Sequence, residues 1–491
     1  MVFPKNYKLY IDGKWVDSES GETFPSLNPA KPREIIGNFQ LGNGDDVNKA
    51  VDAAERAFKK WSEMPAPKRG LILLRAAQIL REKKEELARL LTKEMGKVIA
   101  EARGDVQEAI DMAEYMAGEG RRLFGYTTPS ELRDKFCMTV RMPVGVFGLI
   151  TPWNFPIAIP AWKIMPALIC GNTVVFKPSS DTPLCAIKFV EILEKAGLPK
   201  GVLNLVTGPG DTVGMAIVRH EKVRGISFTG HRDTGRTILK EVGLKKVGLE
   251  LGGKNGIIVL EDADQNLALD GVVWGGYGTT GQRCTAASRV IVHEKIKKKF
   301  ETMLVNKIKK LKIGSGLDLK TDVGPLINKA AQDKCKNYVE IGLNEGAKLL
   351  TGGKIPRMSG FFFEPTLFTD CSMDMRIAQE EIFGPIVSLI PVKDFDEAID
   401  AMNSVEYGLS SSIYTKDMRK AFLAIQRIEA GITYVNSSTI GAEVHLPFGG
   451  IKHTGTGVRE GGIEGVQEFS EIKTVYIDYS GKLQKAQIDT E

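Results

Sequence analysis

The sequence predicts an α/β fold built on parallel sheets that are covered on both faces. Two observations predict it. From about residue 144 continuous apolar runs alternate with helical stretches, and a second series of the same kind starts after Glu250. Strands buried on both faces read as unbroken apolar runs, and helical crossovers between them make the pairing parallel.

Taken in order, residues 7–35 read as short strands and turns, with 10–15 as a hairpin. A helix opens near Asp45, with Asp45 or Asp46 as the cap. Val47, Ala50, Val51, Ala54, Phe58 and Trp61 then recur along one face. Two further helices are expected near 68–95 and 101–124. The apolar runs 144–150, 173–176, 202–206 and 225–228 read as strands of the first series, with a helix at 183–196 among them. The second series includes 255–260 and 386–390. A late strand at 474–479 stands alone and needs a partner, from residues 136–141 or from another subunit.

A chain of 491 residues is long enough for two to four domains. Hydrophobic residues make up 43% and charged residues 26%, and the net charge of +5 does not argue for nucleic acid. The most basic stretch, 295–312, carries Ile296, Phe300, Leu304, Ile308 and Leu311 at steps of three and four. It reads as an amphipathic helix with a solvated lysine face. Cys137, Cys170, Cys185, Cys284, Cys335 and Cys371 lie far apart without a CxxC pair, which suits reduced thiols in the cytoplasm. Residues 1–8 lack the apolar core of a signal peptide. No run approaches the ~18 apolar residues that span a bilayer. The expectation is a cytoplasmic protein that is neither secreted nor embedded in a membrane.

Two segments carry the chemistry: Leu249-Glu250-Leu251-Gly252-Gly253-Lys254 and Gly281-Gln282-Arg283-Cys284-Thr285. Each sets one reactive side chain among glycines. A thiol so placed can attack a carbonyl, and a carboxylate can move protons for it. A free cysteine is ordinarily an inert core residue, and that reading is kept for the other five. A carboxylate between Leu249 and Leu251 is paired, neutral or functional. In Thr151-Pro152-Trp153-Asn154-Phe155-Pro156, two prolines pin a turn at a strand's carboxyl end. Open α/β sheets bind ligands at such ends. The Asn154 amide can donate to an oxyanion there, or can simply close an Asx turn. Lys177 sits at another strand end, where it can meet ribose or phosphate oxygens or snorkel to water. Two glycine-rich turns compete for a dinucleotide: Gly208 to Gly214, which includes Gly210, and Phe228 to Gly235, which includes Gly230 and His231. The 5 histidines show no zinc-ligand spacing, so no metal is assigned, and no G-x-S-x-G elbow is present.

Together these motifs resemble the aldehyde dehydrogenase superfamily over nearly the whole chain, with Glu381-Ile382-Phe383-Gly384-Pro385 and Pro447-Phe448-Gly449-Gly450 added to those above. The resemblance implies a Rossmann-like cofactor domain (1–124, 143–250 and 447–469), an α/β catalytic domain (251–446) and a small β oligomerisation extension (125–142 and 470–491). It implies an NAD(P)-dependent oxidation of an aldehyde to the acid through a cysteine thioester. Cys284 would be the nucleophile and Glu250 the base. Asn154, with the Cys284 main-chain N–H, would hold the oxyanion. Thr151, Pro152, Trp153, Lys177, Ser180, Gly210, Gly230, His231, Glu250, Leu251, Glu381 and Phe383 would meet the cofactor. A dimer or tetramer is expected.

Three positions depart from the family pattern. Ser180 stands where many NAD-preferring members carry a glutamate that binds both ribose hydroxyls, so NADP is expected to be preferred, with NAD possible. His231 replaces a common serine. Ile463 stands at the position aligned to a glutamate of a proton path, and Glu464 lies beside it. The chain's end, from Gly441 to Ser480, is similar to the semialdehyde-oxidising branch, and Arg283 can pair with a substrate carboxylate or face away as a structural arginine. Two alternatives stay open: a coenzyme A-acylating dehydrogenase, which commonly lacks the glutamate at 250, and a non-catalytic scaffold with this fold.

Overall fold

The computed structural model describes residues 4–488. Residues 1–3 and 489–491, the outer ends of the predicted cofactor and oligomerisation segments, lie outside the described residues.

The first apolar series forms one sheet. Its strand order is Lys246–Glu250, Val223–Thr229, Val146–Ile150, Thr173–Lys177, Leu203–Leu205, Leu9–Ile11, Lys14–Val16. The first five run parallel, and the last two are the hairpin expected at 10–15. The chain begins at Val146–Ile150, winds outward one way, then returns to lay Val223–Thr229 on the other side. That reversal makes a switch point, and a crevice opens between the carboxyl ends of these two strands.

The second series forms another sheet of seven, in the order Lys348–Thr351, Thr366–Thr369, Ile386–Val392, Ala287–His293, Asn255–Val259, Ser410–Tyr414, Ile432–Val435. All its pairings are parallel except the first. Only Leu251–Lys254 separates the two sheets along the chain, so the first sheet's last strand ends where the second's first begins. The tail strand, Ser470–Asp478, pairs antiparallel with Lys135–Pro143, the partner expected within the chain, and Thr127–Pro129 completes that small sheet.

Local boundaries differ from the sequence reading in instructive ways. Asn43 caps the helix Gly44–Ser62, accepting from the N–H groups of Asp45 and Asp46, while Asp46 reaches back to the Asn43 N–H. The aspartates thus complete a capping box rather than start the helix. The stretch expected as one helix at 68–95 is two, Ala66–Glu82 and Lys84–Met95, broken at Lys83. The next helix, Ile99–Glu119, stops before residue 124. The strand expected from 144 starts at Val146, because Asn172 takes the Val144 and Gly145 N–H groups. The basic helix is Glu294–Ile308, with Phe300, Leu304 and Ile308 buried. Among the described residues no helix is long and apolar enough to cross a membrane.

Candidate active site

The crevice at the switch point is where the two sheets meet. The first sheet supplies the loops after its strands: Thr151 to Asn154 after Val146–Ile150, Gly230 and His231 after Val223–Thr229, and Glu250 at the end of Lys246–Glu250. The second supplies segments just before its strands: Cys284 ahead of Ala287–His293 and Glu381 ahead of Ile386–Val392. Residues remote in sequence therefore converge.

Cys284 sits at the junction of two cavities. One, of about 280 Å³, is lined by Pro152, Trp153, Asn154, Thr229, Gly230, His231, Leu251, Glu381 and Phe383 together with Cys284. The other, of about 140 Å³, runs past Glu250, Arg283, Phe155, Trp162 and Phe448 and also reaches Cys284. The approach to the thiol is tightly wound. Thr279 and Thr280 adopt left-handed φ values of 50° and 59°, followed by Gly281 at 69°. The Thr279 strain is held by Glu101, which accepts from its N–H at 2.7 Å and from its hydroxyl at 3.2 Å. Gly253 must be a glycine: a Cβ there would lie 2.5 Å from the Cys284 carbonyl oxygen.

The thiol stays partly accessible at this junction. Burial, then the carboxylates of Glu381 and Glu250, push its pKa up to about 12, with Thr285 and Arg283 opposing. Glu250 is likewise raised well above the carboxylate range, first by burial and then by Glu460, with Lys163 opposing. Neither oxygen of Glu250 has a hydrogen-bond partner. Burial thus favours the uncharged form of both groups. The Asn154 amide donates one hydrogen to the Gln282 carbonyl at 3.1 Å, which leaves its second hydrogen free, and its own oxygen is unpartnered.

The other expected residues divide into two groups. Trp153 and Phe383 meet edge to face at 5.5 Å across the larger cavity. Glu381 is half-buried and accepts the Gly253 N–H at 2.9 Å. Its pKa is raised by burial, against Gly253, Lys334, Lys254 and Arg232. Thr151, Lys177, Ser180 and Gly210 lie off this cavity. Lys177 is buried, donates to the Pro178 carbonyl at 2.8 Å and packs beside Gly214. Burial lowers it to about 8, with Asp181 and Asp211 opposing. Ser180 donates to the Gly208 carbonyl at 3.0 Å, and a Cβ at Gly210 would meet open space. His231 accepts the Asp233 N–H at 3.2 Å and so caps the helix Arg232–Glu241.

Arg283 lines both the smaller cavity and a larger outer one of about 620 Å³. Its guanidinium lies between Phe155 and Trp274, 5.2 and 5.1 Å from their centroids, and 3.5 Å from Glu101. It faces the cavity rather than away from it.

The sequence reading missed a buried group behind Glu250. Lys163, on the helix Ala158–Cys170, pairs with Glu460 and donates to the Ser227 hydroxyl at 2.8 Å. Glu460 and Glu468, not the Ile463 position, supply the carboxyls beside Glu250; Ile463 itself is exposed.

A cofactor of the dinucleotide type fits these residues. Thr229 leaves a buried hydroxyl without a partner where both cavities meet, and Glu381 keeps acceptor capacity toward the larger one.

The sequence model of the Aldehyde dehydrogenase family matches residues 15–475. The chain is 44% identical over 479 residues to an alpha-ketoglutarate semialdehyde dehydrogenase of Haloferax volcanii, covering 96% of this chain and 99% of that one. It is 41% identical to an alpha-ketoglutaric semialdehyde dehydrogenase of Bacillus subtilis, with 96% and 98% covered. Among solved structures it is similar to betaine aldehyde dehydrogenase of Staphylococcus aureus in complex with NAD+, at a TM-score of 0.95 and 38% identity, covering 97% of this chain and 95% of that one.

Proposed function

The chain belongs to the aldehyde dehydrogenase family, and from that premise we propose that it oxidises an acidic semialdehyde to the carboxylic acid, with NADP or NAD, through a thioester on Cys284. One observation carries this reading: a single thiol joins a cavity suited to a nicotinamide cofactor to one that holds an unpartnered, buried carboxyl. The two semialdehyde dehydrogenases named above support the substrate class, and Arg283 offers the cation for its distal carboxylate.

The residues divide the work. Glu250 takes the thiol proton, directly or through water, and Sγ attacks the aldehyde carbon. The free Asn154 N–H receives the resulting alkoxide. A bound nicotinamide would supply the hydride acceptor that carries this adduct to a thioester. Glu381 would hold its ribose hydroxyls, and Trp153 and Phe383, which meet edge to face, would flank the ring end of the cavity. Glu250 then draws a proton from water, whose oxygen attacks the thioester carbon and releases the acid. A base poised for water favours hydrolysis over transfer to coenzyme A.

Lys177, Ser180 and Gly210 form the outer end of the cofactor site. With neutral Ser180 beside Lys177, a 2′-phosphate meets no negative side chain at 180, so NADP is accepted. Residues 1–124, 143–250 and 447–469 form the cofactor domain, 251–446 the catalytic domain, and 125–142 with 470–491 the oligomerisation sheet. Ile472, Tyr476 and Ile477 are exposed on the Ser470–Asp478 strand, which suits a homo-oligomer.

The test is an aldehyde panel scored by NADPH and NADH absorbance, with acid-quenched trapping of the acyl group. Acidic semialdehydes should give the highest kcat/KM, and the label should sit on Cys284. Cys284→Ser that oxidises aldehydes as fast as the parent would defeat the reading.

A further inference from the structure

The base, two further carboxyls and one ammonium are buried together. Glu250 and Glu460 are 5% exposed, Glu468 4% and Lys163 0%. Burial raises the Glu250 and Glu468 carboxyls and so favours protons held at these two positions.

The strand register explains why they meet. Ser227 pairs with Gly248, and Thr229 with Glu250, in adjacent parallel strands. Along Lys246–Glu250 the residues 246, 248 and 250 face one side. Gly248 leaves that face open, and a Cβ there would lie 2.0 Å from Glu468 Oε1. The Glu468 carboxyl, from the end of the helix Gly462–Glu468, therefore fills the gap between Glu250 and Lys246. Neither Glu468 oxygen has a settled partner. The Ser227 hydroxyl, already accepting from Lys163, is the near donor that favours its charged form. Lys246 is half-buried, and its Nζ reaches the Gln467 and Ser470 carbonyls at 3.0 and 2.6 Å. A polar row thus runs from Glu250 past Glu468 to the half-buried Lys246.

We propose that Glu468 is the outward station of a proton path that starts at Glu250 and passes the Lys163, Ser227 and Glu460 group. The proposal rests on the reading of Glu250 as base. That reaction releases protons the site must export. In acylation the S–H and aldehydic C–H bonds break and the S–C bond forms. Hydride leaves with its electron pair, and the thiol proton goes to Glu250. In deacylation a water O–H bond breaks to Glu250, the C–O bond forms, the C–S bond breaks and the thiolate regains a proton. The acid then ionises, so each aldehyde yields two protons. The buried group can hold the first, but repeated turnover needs an exit.

Glu468 suits the task. Burial and Glu460 raise it to about 7, against Lys163, Ser227 and Lys246. Lys246 in turn faces Glu471, the Cys170 thiol and Arg141, and Arg459 faces Glu250.

Glu468→Gln keeps shape and polarity but cannot pass a proton. Rapid-quench trapping with an acidic semialdehyde should find thioester formation within about twofold of the parent and its decay slowed about tenfold. The decay should lose its pH dependence near neutrality and gain a larger solvent isotope effect. Glu468→Asp should recover most of the rate. A Glu468→Gln enzyme with unchanged decay and pH profile would overturn the proposal, as would equal loss of both half-reactions or failure of Glu468→Asp to recover. A parent enzyme that forms no thioester would instead defeat the reading beneath it.

Discussion

The side-chain amide of Asn255 donates to the main-chain carbonyl of Cys284 at 2.7 Å and to that of Ala286 at 3.0 Å, while its own oxygen accepts the Ser410 N–H at 2.9 Å. One buried residue thus ties the thiol's backbone to two strands of the second sheet. Asn255→Ala leaves two carbonyls and one N–H without partners, at about 1–3 kcal/mol each. The expected outcome is a lower Tm together with a fall in kcat larger than the change in KM. Thermal melts and steady-state kinetics on the same preparation check it. An unchanged kcat would mean that Cys284 is positioned without this residue.

How much of this was legible in the sequence follows from what each feature depends on. Runs such as Thr173–Lys177 and Asn255–Val259 announce strands because burial on both faces leaves no room for polar residues. Glu250, Cys284 and Asn154 stood out because glycine or proline frames each of them. Lys163, Glu460 and Glu468 did not. They are ordinary charged residues on three distant segments, and only tertiary packing buries them together. Asn43 and the two aspartates are all good caps, and backbone geometry alone decides among them. The break at Lys83 carries no Gly or Pro to mark it.

The pH dependence follows from the raised carboxyls. Glu250 must be ionised to act as base, and burial with Glu460 beside it holds it well above the usual carboxylate range. Deacylation should therefore rise with pH through an elevated value, and Glu250→Gln should abolish that limb while slowing deacylation by about 10²-fold or more. The sign for stability is opposite. A carboxyl whose folded pKa is raised binds more protons in the native state than in the unfolded one. For Glu468 that contribution is complete below the unfolded value of 4.5 and is lost as pH rises through about 7. Urea unfolding between these limits should show a flatter pH slope in Glu468→Gln than in the parent.

Arg283 carries the substrate-class prediction. Its guanidinium is fixed by Phe155, Trp274, Glu101 and the Thr279 hydroxyl at 2.8 Å, yet lines the path to the thiol. A charge-assisted bond to a substrate carboxylate contributes about 1.5–3 kcal/mol, or roughly tenfold to a hundredfold in kcat/KM. Arg283→Ala should lose that much with an acidic semialdehyde and far less with a neutral aldehyde of similar length. Arg283→Lys should recover only part of it, because an ammonium cannot make the paired contact. Equal losses on both aldehydes would assign Arg283 a purely structural role.

The proposed acceptance of NADP rests on Ser180. Its hydroxyl is engaged with the Gly208 carbonyl, and Lys177 nearby spends one hydrogen on Pro178, leaving two for a ligand. A phosphate on the adenosine ribose therefore meets an ammonium and no opposing charge at 180. Ser180→Glu introduces a carboxylate that repels that phosphate and accepts two ribose hydroxyls instead. Lys177, lowered to about 8 by burial, would also be driven back toward full protonation by the new anion. The ratio of kcat/KM for NADP over NAD should fall by about 10–100-fold, mostly through KM for NADP. Initial rates with both coenzymes at a fixed aldehyde concentration measure it. A parent enzyme that strongly prefers NAD, or a Ser180→Glu enzyme whose ratio does not move, would place the discriminating contact elsewhere on the outer rim.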